Sequence, residues 1–318
     1  MTALEVEVDP GEAGFDAKRL GRLSTHLNKY VDKGLLPGVN VLVSRGEEIV
    51  YRHMYGARDM ERALPVEPDT IYRFYSMTKP ITSIAIMQLY EQGLFQLKDP
   101  ISRWIPSFAG SQVFAGGHAL QPQTRDATRD ISVHDLLTHT SGLTYHFHMA
   151  HHVDEMYRRA GFDWTKSPGD LESQCDILAS LPLLFDPGSE WNYSYSTDVL
   201  GRLIEVMSGL SLDAYLKKNI FEPIGMVDTG FSVPDGQEER FASCYYPDGE
   251  TQQATLLDDA QRSRYLREPE ALSGGGGLVS TLGDYHRFTQ ALRSGGALDG
   301  KRIIGRKTLE FMTSNHLP

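Results

Sequence analysis

Ser76-Met77-Thr78-Lys79 follows the extended-looking run Ile71-Tyr72-Arg73-Phe74-Tyr75 and precedes apolar residues at Ile81, Ile84, Ala85, Met87 and Leu89. This spacing predicts a helix over 81–92, with Ser76 in the turn that opens it. Pro80 suits that place, because there it removes at most the first intrahelical hydrogen bond, whereas deeper in the helix it would be disruptive. Ser76 and Lys79 are then three positions apart on one face, beside the free N–H groups and the positive end of the helix dipole.

A serine hydroxyl is a weak nucleophile until a neighbouring base takes its proton. A partly buried lysine near a positive helix end has its charged form disfavoured and can be that base. The Ser76 N–H can also face a developing oxyanion, a donor that contributes about 2.7–4 kcal/mol in such sites. Taken alone, Ser-x-x-Lys equally describes an N-cap serine followed by a solvated lysine. It occurs once in the chain, and its place after a strand-like run and before a helix supports the chemical reading.

Upstream, Leu20, Leu23, Leu27 and Tyr30 give a helical period over 16–30 that ends near Gly34 and Pro37-Gly38. Two β-rich runs follow, 39–43 and 49–53, joined across Arg45-Gly46-Glu47 as an antiparallel hairpin. Such a hairpin is marginal in water and needs further strands. Downstream, a second pair reads at 240–246 and 251–257, hinged at Pro247-Asp248-Gly249. The rest reads as helix and loop, with helices at 133–138, 199–207, 212–219, 281–293 and 306–313. The sequence stops at Asn315-His316-Leu317-Pro318 just after a helix, so the sheet begun at the N-terminus is expected to be incomplete. On this reading residues 1–75 are the N-terminal part of an α/β domain, and residues 76–318 a mostly helical one.

With 318 residues and 40% hydrophobic content the chain can bury a substantial core. A net charge of −11 without any basic block argues against nucleic acid and anionic membranes as partners. The two cysteines, Cys175 and Cys244, lack the paired spacing of a zinc or redox motif. Reduced thiols, an N-terminus without a basic and apolar leader, and no apolar run of spanning length give a cytoplasmic expectation.

A second signal lies in Pro187-Gly188-Ser189-Glu190-Trp191-Asn192-Tyr193-Ser194-Tyr195-Ser196-Thr197-Asp198. A Pro-Gly turn leads to a short aromatic stretch, and Ser196 and Asp198 open a helix carrying Val199, Leu203, Val206 and Met207. Tyr193 is thereby held on a loop fixed by a helix start. Its phenol can accept or relay a proton beside a cation, or be an ordinary packed tyrosine with a satisfied hydroxyl.

Together, Ser76-Met77-Thr78-Lys79, His134-Asp135-Leu136-Leu137-Thr138-His139-Thr140-Ser141-Gly142-Leu143, Tyr193-Ser194-Tyr195 and Gly275-Gly276-Gly277-Leu278-Val279-Ser280-Thr281 closely resemble the serine β-lactamase-like superfamily. The match is to class C β-lactamases and especially to family VIII carboxylesterases, in order from about Phe15 to the end of the chain. The resemblance implies an α/β (α+β) fold of the β-lactamase/transpeptidase type, an antiparallel sheet flanked by helices plus a mostly helical domain. It implies an acyl-enzyme on Ser76, with Lys79 and Tyr193 sharing the proton work, a small carboxylic ester as substrate, and no metal or other cofactor. Tyr195 then occupies the position that is asparagine in true class C β-lactamases, which favours an esterase. The late Lys-Thr-Gly strand of the family has no match. Lys307-Thr308-Leu309 lacks the glycine and reads as helix, with Ile304, Leu309 and Met312 inward.

Tyr145, beside Gly142-Leu143-Thr144, and Gly276 in the glycine run are candidates to touch substrate, each with a packing role as the alternative. His146, His148, His151 and His152 have no standard zinc spacing and read as a histidine-rich loop. Glycines 274–277 lack the Lys-Ser/Thr of a phosphate loop and read as a structural or pocket-lining turn. No Gly-x-Ser-x-Gly is present, which removes a nucleophile-elbow hydrolase. Three functions stay open: a serine carboxylesterase; an acyltransferase, weak β-lactamase or peptidase with the same nucleophile; and a catalytically impaired fragment or non-catalytic binding protein.

Overall fold

The computed structural model describes residues 4–163 and 168–317. They form two compact units. The first draws on more of the chain than residues 1–75, since it also holds Gly225–Glu268 and Leu278–Arg293. Backbone pairing explains why: strand Ile71–Arg73 pairs antiparallel with Val279–Thr281, and the Ala242 N–H donates to Ile71 O at 2.9 Å.

The expected hairpin is the long strand pair Gly38–Arg45 and Glu48–Asp59, with Gly38 opposite Gly56 and Arg45 opposite Glu48. Gly56 has φ +85, and a Cβ there would stand 2.5 Å from the Pro37 carbonyl oxygen, so only glycine fits the strand crossing. Helix Ala17–Asp32 starts at Asp16, whose side chain accepts from the Arg19 N–H. It covers one face of the hairpin. Tyr51, His53 and Tyr55, alternate residues of one strand, bond Ser24, Asn28 and Asp32 of the helix at 2.7, 2.7 and 2.8 Å. On the other face Gln290 of helix Leu282–Arg293 donates to Ser44.

A third strand, Leu64–Pro65, pairs with Glu48–Asp59, and no sheet among the described residues has more than three strands. The small, antiparallel sheets agree with the incomplete sheet expected from the sequence. The pair expected at 240–246 and 251–257 is shorter, Cys244–Pro247 with Ala254–Asp258. Arg240 instead closes a 3-10 turn, its guanidinium held by Asp228 at 2.7 Å and Asp69 at 3.0 Å. Ile71, Val233, Phe241, Ala260, Tyr265 and Val279 pack as a core here, and Arg73 lies over the Phe241 ring while binding Asp258.

The second unit comprises Phe74–Ile224, Pro269–Gly277 and Ser294–Pro318. Its centre is helix Thr78–Glu91, which buries Ile81, Ile84, Ala85, Ile86, Met87 and Leu89, so that apolar residues run all round it. Helix Ser196–Ser208 packs against it and ends at Gly209 in the left-handed region, as helices commonly do. The hairpin Gln112–His118 and Gln121–Asp126 and the helices His152–Arg159 and Leu171–Ser180 lie outside the sequence expectations. The helix expected over 212–219 is Leu212–Leu216 running into a π-turn, Lys217–Phe221. Of the three residues read as inward around Arg306–Met312, Ile304 is buried, while Leu309 and Met312 are half-buried. No described helix is long and apolar enough to cross a membrane.

Candidate active site

All the residues singled out for chemistry lie in the second unit. Tyr75 has φ +42, a conformation that L-residues other than Asn, Asp and His seldom take. It turns the chain into a 3-10 step, Tyr75–Met77, and leaves Ser76 exposed just ahead of helix Thr78–Glu91. Lys79 is half-buried one turn on. Its Nζ donates to Gly275 O at 2.7 Å and approaches Ser76 Oγ at 3.3 Å. The Tyr193 hydroxyl donates to the same Oγ at 2.6 Å. The Lys79 ammonium also sits 4.4 Å from the Tyr193 ring centre and 5.4 Å from that of Tyr145, within the range of a cation–π attraction. Ser76, Lys79 and Tyr193 therefore meet, although 117 positions separate Ser76 from Tyr193.

Tyr193 is aimed by the segment that the sequence His139-Thr140-Ser141-Gly142 builds. Main-chain bonds Gly188 N to Thr140 O (2.7 Å), Leu184 N to Gly142 O (2.7 Å) and Asn192 N to His139 O (2.9 Å) lay residues 184–192 along it. Gly142 has φ +85, and a Cβ would meet Phe185 O at 2.5 Å, which accounts for this glycine. Beneath, a chain of hydrogen-bonded side chains runs from His139 Nδ1 to Ser194 Oγ (3.2 Å), on to Ser196 Oγ (2.8 Å) and to Ser141 Oγ (2.8 Å). The His139 ring leans on Tyr193 at 4.9 Å and on Trp191 at 6.3 Å. Burial, reinforced by the charge of Lys79, holds the His139 imidazole down at about 4, so it is neutral at pH 7.

The other candidates fall in different places. Tyr145 is buried against Phe147, ring centres 4.6 Å apart, and faces Lys79 and Tyr193. Burial and then the nearby Asp198 charge push its phenol well above the ordinary tyrosine value. Gly276 lies against the Tyr75 main chain, where a Cβ would touch at 3.6 Å. Tyr195 is buried among Phe162, Tyr157 and Tyr145, and its hydroxyl bonds His146 Nδ1 at 2.6 Å, so it is not brought to Ser76.

The remaining histidines of the cluster serve the loop. His148 bonds Thr144, and His151 caps helix His152–Arg159. Among the described residues no three His, Cys, Asp or Glu side chains are arranged to hold a metal ion. Lys307 pairs with Glu310 on an exposed helix.

Sequence reasoning passed over two parts of this arrangement. Asp198, read as a helix opener, is a buried carboxylate directed at the 273–275 turn. His139 carried no role of its own. Its signal is its place inside a run that must turn tightly at Gly142, but its partners lie 55 positions away.

A family model described as Beta-lactamase matches residues 23–317. The chain is 34% identical to Protein Rv1367c of Mycobacterium tuberculosis (strain ATCC 25618 / H37Rv), over 92% of this chain and 71% of that protein. It is 32% identical to Esterase EstB of Burkholderia gladioli, over 92% of this chain and 75% of that one. Among solved structures it resembles EstCE1, described as a hydrolase with promiscuous acyltransferase activity, with a TM-score of 0.76 and 28% identity over 92% of this chain and 75% of that chain.

Proposed function

The chain belongs to the beta-lactamase family, and from that premise we propose that it is a serine carboxylesterase acting on small carboxylic esters through an acyl-enzyme on Ser76. The observation that carries this reading is the convergence of Tyr193 Oη and Lys79 Nζ on Ser76 Oγ, at 2.6 and 3.3 Å. A hydroxyl held between a phenol and an amine can pass its proton to that pair as its oxygen attacks an ester carbonyl. The C–O bond to the alcohol then breaks, and the pair returns the proton to the leaving alkoxide. Water, activated by the same pair, releases the acid and restores Ser76. Gly275 O holds Lys79 beside this proton traffic.

Two further points favour an ester over a β-lactam. Tyr195 stands where the resemblance to class C β-lactamases calls for asparagine, and its hydroxyl is turned to His146. Esterase EstB is among the relatives. Acyl transfer to an alcohol is the second reading, supported by the likeness to EstCE1, because an exposed Ser76 admits either water or an alcohol to the acyl-enzyme. The absence of paired-cysteine spacing in the sequence supports a cytoplasmic site of action.

The test is turnover of p-nitrophenyl butyrate, with and without added methanol, beside turnover of nitrocefin. The esterase reading expects ester hydrolysis that exceeds nitrocefin hydrolysis and is abolished in Ser76→Ala. Methyl ester forming faster than free acid would favour the transferase, and equal activity of Ser76→Ala and parent would favour a binding protein.

A further inference from the structure

Asp198 sits in the first turn of helix Ser196–Ser208, where an aspartate ordinarily faces solvent and complements the helix dipole. Here it is buried and bonds the 273–275 turn. Its Oδ1 accepts from Ser273 Oγ at 2.5 Å and from the Gly275 N–H at 3.1 Å. The carbonyl of the same Gly275 accepts from Lys79 Nζ at 2.7 Å. One glycine main chain thus joins a buried carboxylate to the ammonium beside Ser76.

The turn is built to hold that link. Thr82, from the Lys79 helix, donates to Gly274 O at 2.8 Å. A Cβ on Gly274 would stand 2.6 Å from Thr197 O, and one on Gly275 would stand 2.4 Å from Asp198 Oδ2, so both glycines are needed for the turn to lie this close to the helix start. A buried carboxylate is costly without compensation. Burial pushes the Asp198 carboxyl up, and the Ser273 hydroxyl, the charge of Lys79 and the Gly275 N–H pull it back. The other titratable groups facing it are Tyr145, Tyr195 and Cys175 from the helix Leu171–Ser180, all of which become negative on losing a proton. Lys79 is the cation among them.

We propose that Asp198 is the positioning residue of Lys79: it fixes the 273–275 turn so that Gly275 O holds the ammonium against Ser76, and it supplies the buried counter-charge. This inference rests on the esterase reading of Ser76.

The test compares parent, Asp198→Asn, Asp198→Ala and Ser273→Ala by kcat and KM for p-nitrophenyl butyrate and by the pH dependence of Ser76 labelling with a fluorophosphonate. Asp198→Asn keeps an oxygen for the Gly275 N–H and loses the charge. Its kcat should fall about tenfold with KM changed by less than about twofold, and Asp198→Ala should lose about a hundredfold. Losing a buried negative charge disfavours the protonated form of whichever group takes the Ser76 proton, so the labelling curve of Asp198→Asn should move to lower pH. Ser273→Ala, which weakens the carboxylate form, should move it the same way by less. A folded Asp198→Asn whose labelling curve superimposes on the parent's would overturn the proposal. If Asp198→Asn does not fold, an unmoved curve in Ser273→Ala overturns it. No labelling of Ser76 in the parent overturns the esterase reading and this inference with it, whereas normal labelling with superimposed curves overturns this inference alone.

Discussion

The Tyr193 hydroxyl donates to Ser76 Oγ at 2.6 Å, the shortest contact the Ser76 hydroxyl makes with either of its two partners. A phenol so close is placed to share the proton work with Lys79 as Ser76 attacks. Tyr193→Phe keeps the ring against His139 and removes only the oxygen. The expected outcome is a fall in kcat for p-nitrophenyl butyrate of about 10²–10⁴-fold with an unchanged melting temperature. A variant within a few-fold of the parent would leave the proton work to Lys79 alone.

Lys79 donates to Gly275 O and Ser76 Oγ from one compact nitrogen. Arginine carries the charge on a planar fork that stays protonated and does not fit that point. Lys79→Arg should therefore be no more active than Lys79→Met, both down by at least about 10²-fold in ester turnover. Rescue of turnover by arginine would show that only the charge matters.

His139 gives a pH dependence of stability. Its folded-state value is about 4, held down by burial and then by Lys79, whereas an unfolded histidine titrates near 6.5. Between these values the unfolded chain binds the extra proton, so stability rises with pH; it is complete above about 6.5 and is lost as pH falls towards about 4. The full loss is on the order of 3 kcal/mol. His139→Asn tolerates the local φ of +56 and does not titrate. Its melting temperature should fall less than the parent's between these pH values, and parallel curves would show that other groups set the acid limit.

Two glycines should respond in opposite senses. At Gly274 a Cβ meets Thr197 O at 2.6 Å and Thr82 Cγ2 at 3.2 Å. Gly274→Ala should cost about 1–3 kcal/mol, read by urea melts, and lower ester turnover as the turn shifts from Lys79. Gly21, inside helix Ala17–Asp32, has nothing within 4 Å of a Cβ. Gly21→Ala should add about 0.5–1 kcal/mol, because alanine loses less backbone entropy there.

What could be read from the sequence was whatever local pattern encodes. Ser76 and Lys79 share a helix turn, and the strand-like run before them and the apolar run after them fix that turn, so the pair was legible. Tyr193 was legible through the turn and helix start that flank it. Strand Gln121–Asp126 was not, because every residue in it is exposed and no apolar alternation marks it. The strand expected from residue 240 begins at Cys244 because Arg240 is drawn to Asp228 and Asp69, partners that no local pattern announces. Asp198 looked like any acidic residue of a first turn. Its burial depends on Ser273 and Gly275, which lie 75 and 77 positions further along the chain.

Ser76 is the residue proposed to become acylated. Treating the folded chain with a fluorophosphonate and reading intact mass and then peptide fragments addresses this directly. One adduct per chain, on the peptide carrying Ser76 and absent from Ser76→Ala, is the expected result. An adduct on another residue, or none on a chain that still hydrolyses p-nitrophenyl butyrate, would contradict it.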